Sequence, residues 1–293
     1  MSEPEPPPSG TSPEDDRRRR LELERAASEQ LGRLNGALEL QAAVLALLLP
    51  AGSRRAARAW EAETESTPNA TELRAHVEQL SGSARLPWLE ALVSRMRGQP
   101  LAARQALLAA TRRVMAARGA SRPIDRLHWL AMRQWLGEAS AAAAIRAPAA
   151  AELSQLPPSD VAAIAAYSAF LSRMVPIDAV DAAEPADTAS VAPGAAWYET
   201  VMATWRPHAE IAPCLAPDTD GLVHALQELQ ALPWMQRPLL VRGWVGAAQQ
   251  HSRHRRIGDG AADALRLSCT LLDSPLPPDL TRHFGAPLAE APR

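Results

Sequence analysis

Apolar residues recur along this chain at steps of three and four, not two. Leu31, Leu34, Leu38, Val44, Leu45 and Leu48 form the first such series, and Pro50-Ala51-Gly52-Ser53 stops it. That spacing lays one apolar stripe along a helix of 3.6 residues per turn. A second helix, Arg54 to about Glu65, is expected to pack back on the first. Asn69-Ala70-Thr71-Glu72 has the spacing of a capping box and predicts a helix to Leu80. Leu86, Leu89, Leu92, Val93 and Met96 make the next stripe, broken by Gly98-Gln99-Pro100. Leu101, Leu107, Leu108, Val114 and Met115 mark a long amphipathic helix that Gly119 can end. Pro123 suits the first turn of the following helix, which carries Ile124, Leu127, Leu130, Ala131 and Trp135 on one face. Ala139 to Ala151 can extend helix towards Pro157-Pro158, and Ser159 can cap another through Val161, Ile164, Tyr167 and Leu171.

The character changes at Pro176. From there to Ala196 the chain carries Asp178, Asp181, Glu184 and Asp187, three prolines and no positive charge, which reads as a charge-extended linker or long surface loop. Helical spacing returns at Trp197, Val201 and Trp205, then at Leu222, Leu226 and Leu229. A helix after Pro238 carries Leu240, Val241, Trp244, Val245 and Ala248. A basic turn, His251 to Gly260, follows it, and Asp259 can cap the last clear helix, with Leu265, Ser268, Cys269 and Leu272 inside. No segment alternates long enough for a strand. The fold class is therefore all-α, with a disordered tail over 1–20, a helical lobe over 21–175, the linker over 176–196, a second lobe over 197–285 and a tail over 286–293. The lobes look related: Arg104 to Leu136 runs long helix, polar turn, short helix, and Arg237 to Leu272 does so again, with Ile124 matching Ile257 and Arg133 matching Arg266.

Composition supports helix and removes several chemistries. Of the 293 residues 47% are hydrophobic, enough for a core, while aromatics are 4% and eight of those twelve are Trp. Sixty alanines favour helix over sheet. The net charge of -2 argues against a dedicated nucleic-acid binder. All 31 basic residues are Arg, so Schiff-base, catalytic-Lys and P-loop mechanisms have no residue to use. Cys214 and Cys269 stand 55 residues apart in no metal-knuckle spacing and read as small buried hydrophobes. Residues 1–16 hold five prolines and five acids, no secretory signal, and Arg17–Arg20 reads as a solvated helix start in preference to an anion or membrane patch. The longest apolar run, Ala42 to Leu49, falls short of the ~20 residues of a membrane span. A cytoplasmic protein is expected.

One family resemblance rests on Ala42-Val44-Leu45-Ala46-Leu47-Leu48-Leu49, Arg85-Leu86-Pro87, Ile124-Asp125 with Trp129, and above all Ala264-Leu265-Arg266-Leu267-Ser268-Cys269 followed by Leu271-Leu272-Asp273-Ser274-Pro275-Leu276-Pro277-Pro278. From about Leu38 to Pro278 the chain resembles the soluble C-terminal region that follows the catalytic domain in bacterial membrane-anchored zinc metallopeptidases of the heat-shock/prenyl-protease type. Its helical hairpins are in turn similar to TerB-like tellurite-resistance domains. That pattern puts Asp-Gly in each turn and a Glu about four residues into the next helix. Here the turns read Ser121-Arg122 with His128, and His254-Arg255 with Ala261, which cannot supply the charge a hard cation needs. No HExxH is present either, so the resemblance implies the accessory region without its chemistry.

Remaining constellations are few. Arg253, His254, Arg255 and Arg256 form the sharpest charge cluster and are the candidate anion site, beside a helix N-terminus near Gly258. Against it stands a solvated turn without interleaved aromatics, the preferred reading. Asp218-Thr219-Asp220-Gly221 reads as a helix cap, since a calcium loop's other ligands never arrive. His128-Trp129 reads as a helix start packing a Trp. Most tryptophans should be core, with Trp88 and Trp234 as candidate partner anchors. The sequence thus predicts a non-enzymatic helical interaction or scaffold protein. It needs no cofactor or metal and binds a protein partner, a membrane peptidase being one candidate. Nucleic acid is disfavoured and membrane insertion is not expected; anion or nucleic-acid binding through 251–256 is the alternative.

Overall fold

A computed structural model of the chain describes residues 12–50, 52–119, 121–137, 156–175, 194–205 and 211–284. Among them the regular structure is all helix: α1 Pro13–Arg33, α2 Ala37–Leu47, α3 Arg54–Glu63, α4 Ala70–Glu78, α5 Gly82–Arg97, α6 Leu101–Ala116, α7 Pro123–Leu136, α8 Pro158–Leu171, α9 Ala195–Trp205, α10 Thr219–Ala231, α11 Gln236–His251, α12 Asp259–Leu271 and α13 Pro278–His283, with a 3-10 turn at Arg253–Arg255. The helical extension over 139–151, most of the linker and both extreme tails lie outside the described residues.

Two helices are apolar nearly all round and therefore sit inside the bundle. In α2, Leu40 and every residue from Ala42 to Leu47 are buried, against α4 and α5. In α8, Ala163–Ala165 and Tyr167–Leu171 are buried, against α10 and α9. Between these centres α7 packs on α12, so the second helices of the two related hairpins meet directly. Glu90 on α5 accepts from Arg266 on α12, the Nη2 to Oε2 distance being 2.5 Å. Tyr167 on α8 stacks on Trp244 of α11 at 5.4 Å between ring centres and lies 3.1 Å, hydroxyl to hydroxyl, from Ser268 on α12. Helix α8, which the sequence division puts in the first lobe, is thus packed against the helices of the second. Buried apolar residues from Ala27 to Leu280 belong to one cluster.

Several helix boundaries differ from the sequence expectation, each for a local reason. Residues 13–20 are helical and exposed, not part of a disordered tail: Ser12 accepts from the Glu14 amide at 3.3 Å, and Glu14, Asp15 and Asp16 sit favourably at the positive end of α1. Asn69 does not cap through its side chain; it takes the left-handed conformation at φ 58° ahead of α4. Asp259 is the first residue of α12 and not its cap, because its carboxylate faces His283 of α13 at 3.2 Å. Ser159 likewise falls inside α8, which Pro157 and Pro158 start. Ala195 and Ala196, assigned to the linker, open α9. Asp218 does cap α10, accepting from the Gly221 amide at 2.8 Å.

Arginine closes the helix ends. Arg95 donates to the carbonyls of Leu31, Gly32 and Leu34 at the C-terminus of α1. Arg85 reaches Ala46 and Leu47 at the end of α2 and Val77 at the end of α4. Arg237 bonds Gln230 and Leu232 at the end of α10 and Leu272 at the end of α12. Each guanidinium satisfies carbonyls that a helix leaves without an internal partner, and its charge opposes the negative end of the helix.

Candidate functional site

The two tryptophans singled out as partner anchors end in opposite environments. Trp88 is buried in α5 and its indole N–H donates to Ser28 of α1 at 3.3 Å, so a partner could reach it only by displacing α1. Trp234 is 76% exposed. It lies in the turn between α10 and α11, beside Met235 at 63% and Leu239 at 41%. The other described tryptophans are buried or partly buried. Three of their indoles bond within the fold, at Ala42 for Trp60, the Trp244 carbonyl for Trp197, and Ser168 for Trp244, while the indole nitrogen of Trp205 is buried without a partner among the described residues.

Met235 and Leu239 escaped the sequence reading because the helix was started after Pro238. It begins at Gln236, with Pro238 in the first turn where a missing amide costs nothing. The signal was available: Leu240 and Trp244 share a face, so the adjacent Leu239 must point about 100° away from it.

The basic turn is on the surface. His254, Arg255 and Arg256 are exposed, and Arg253 opens the 3-10 turn. His254 and Arg255 take left-handed backbone at φ 53° and 56°, which costs roughly 1 kcal/mol or more apiece for residues with a Cβ. Among the described residues neither Arg255 nor Arg256 has an ion-pair partner. Gly258 caps α12 without a side-chain bond, leaving amides of the first turn open near the cluster.

Other polar groups serve the fold. Arg118 and Asp125 form a buried ion pair across the turn between α6 and α7, joined by Arg122 at 3.1 Å. Burial pushes the Asp125 carboxyl up, but its bonds to Arg122 and the charge of Arg118 outweigh this and hold it below the usual carboxylate range. His128 on α7 is pushed down to about 4, chiefly by burial, so its imidazole is neutral near pH 7. Asp263 on α12 is pushed up to about 7 by burial and then by Asp259, and its Oδ1 is buried without a partner among the described residues.

Two arrangements come nearest to chemistry. Thr200 Oγ1 lies 2.8 Å from His251 Nε2 on the surface, but the same hydroxyl donates to the Ala196 carbonyl at 3.0 Å. With its proton on a carbonyl, the hydroxyl receives from His251, the reverse of what a base-activated nucleophile needs. A cavity of about 520 Å³ near Pro50 is lined by Arg54, Arg74, Arg85 and Glu78. Arg85 is engaged by helix carbonyls and Arg74 by Glu78 at 2.8 Å, which leaves the exposed Arg54 at the rim as the lining cation without an ion pair among the described residues. Cys269 is buried, with burial pushing its thiol up to about 12, whereas Cys214 is only half-buried, its Sγ 3.3 Å from the Ser172 hydroxyl; neither is in a disulfide. Among the described residues no three His, Cys, Asp or Glu are grouped to hold a metal, and no helix is long and apolar enough to cross a membrane.

No protein-family model, curated protein or solved structure matches the chain.

Proposed function

We propose that this chain is a non-enzymatic cytoplasmic helical protein that works by binding another protein, with Trp234, Met235 and Leu239 as the anchor. The observation that carries this reading is the exposure of Trp234 in a fold where every other tryptophan is buried or half-buried. Trp is enriched among residues that dominate binding energy, and three neighbouring apolar side chains at one helix start form a compact anchor. Three side chains cover much less than the ~800 Å² per partner of a standard interface, which favours a short segment of a partner over a self-complementary dimer face. The likeness to the accessory region of membrane zinc peptidases supports a peptidase as the kind of partner. Binding of an anion or nucleic acid at Arg253–Arg256 is a second reading, favoured by the exposure and free charge of Arg255 and Arg256.

The test is a photo-crosslinking amino acid placed at Trp234 of the full chain in its native cells, with exposed Gln105 on α6 as control position. A discrete protein adduct from position 234, absent from position 105 and lost with Leu239→Asp, is the expected result. Identical adducts from both positions, or none from 234, overturn the reading.

A further inference from the structure

The anchor and the basic turn stand at opposite ends of one helix face. On α11 the outward positions are Met235 just ahead of it, Leu239, Arg242, Gly246, Gln249 and Gln250, all exposed or partly so, while Leu240, Val241, Trp244, Val245, Ala247 and Ala248 are buried. At 100° per residue the outward set falls within about 100° of arc, a single stripe roughly 22 Å long. The stripe ends at the turn that displays His254, Arg255 and Arg256. It starts apolar and finishes basic.

The charge along it is one-sided. Trp234 to Gly258 contains five arginines, two histidines and no acid. Arg237 is occupied by helix-end carbonyls, whereas Arg242, Arg255 and Arg256 are exposed and have no ion-pair partner among the described residues. Asp259, the next acid along the chain, faces His283. Among the described residues no other element comes within 4 Å of where a Cβ of Gly246 would stand, so the middle of the stripe is open. A chain laid along it could approach the helix backbone closely.

Resting on the reading that this is a protein-binding surface, we infer that the outward face of α11 docks an acidic amphipathic segment of a partner protein. Its apolar end packs on Trp234, Met235 and Leu239, and its carboxylates run along Arg242 to Arg256. Helix-on-helix docking of this kind takes its affinity from apolar anchors and its polarity from charge. A nucleic acid would use the basic end and has no use for an apolar start without a base-stacking series.

The experiment places the photo-crosslinker at Gln250 as well as at Trp234 and sequences the attached peptide. The expected peptide from Gln250 carries net negative charge and comes from the protein captured at 234. A synthetic copy of it should bind the purified full chain, read by fluorescence anisotropy. Its Kd should rise at least tenfold in Arg242→Glu/Arg256→Glu, a surface change that leaves Tm unaltered, and should weaken steeply with salt. No adduct at 234 defeats the protein-binding reading itself. An adduct at 234 with none at Gln250 defeats only the inference. So does a neutral or basic peptide, a peptide of this chain, or a nucleic acid at Gln250, and so does a Kd indifferent to charge reversal.

Discussion

Burial acts in opposite senses on two side chains of neighbouring helices, α7 and α12. For Asp263 the folded value, about 7, lies above that of an unfolded aspartate, so what it contributes to stability is fully present below about pH 4 and is lost as pH rises through 7. For His128 the folded value, about 4, lies below the unfolded one. Its contribution is present above about pH 6.5 and is lost as pH falls through 4. Between those limits the two slopes oppose each other. Asp263→Asn should therefore raise Tm at pH 8, by roughly 3–6 °C, and change it little at pH 4. Calorimetry at the two pH values checks this, and an equal shift at both contradicts the titration account. The Arg118–Asp125 pair gives a second outcome at this scale. Asp125→Ala leaves a buried guanidinium uncompensated and should cost about 3–5 kcal/mol in urea unfolding, whereas Arg118→Met/Asp125→Leu should recover most of it. Neither site was legible in the sequence. Arg118 and Asp125 stand seven positions apart across the turn between α6 and α7, a spacing with no fixed helical geometry, and Asp263 is one more acid in an amphipathic helix until the fold buries it.

Helices were legible because apolar spacing is a local property, and their ends less so because capping depends on what arrives from elsewhere. Asn69 and Asp259 have the right chemistry for caps; one adopts left-handed backbone and the other turns to His283. Glycine and proline marked several C-terminal ends, but not what satisfies their carbonyls, since those groups are arginines of other helices, from five to more than sixty residues away. They give physical sense to a basic complement that is entirely Arg. One guanidinium offers five donors in a rigid fork, and Arg237 uses all three of its nitrogens, on the carbonyls of Leu232, Leu272 and Gln230 at the ends of α10 and α12. A lysine ammonium is a compact, strongly hydrated charge on a flexible stem and cannot span two helix ends. Arg85→Lys, Arg95→Lys and Arg237→Lys should each lose about 1–2 kcal/mol in chemical denaturation. Changing Arg17–Arg20 to Lys on the exposed side of α1 should stay within about 0.5 kcal/mol. Equal losses at both sets would show that the helix-end bonds do not contribute.

At the scale of the whole molecule the question is whether the chain contains two separable lobes. Composition suggests a division at Pro176, and the repeated hairpins support two related halves, but packing does not follow that division. Helix α8 lies before the boundary, and its buried face is made by residues after it: Trp244 stacks on Tyr167 and donates to Ser168, and α10 covers the same helix. Gly194 seals the junction, because a Cβ there would stand 2.1 Å from the Val175 carbonyl oxygen and 2.3 Å from that of Ser172, backbone atoms that cannot yield cheaply. An apolar helix of this kind cannot remain in water uncovered. Residues 1–175 produced alone should therefore lack the near-UV signature of Trp and Tyr packing and associate, because Ile164, Tyr167 and Phe170 lose their cover. Co-expression with residues 194–293 should restore a monomeric complex that melts in one transition, as a single buried cluster requires. A fragment 1–175 that stays monomeric and melts cooperatively by itself would show that the first lobe is autonomous. The anchor at Trp234 lies in the second half and the covered α8 in the first, so a chain that folds only as a unit presents its α11 face only when both halves are joined.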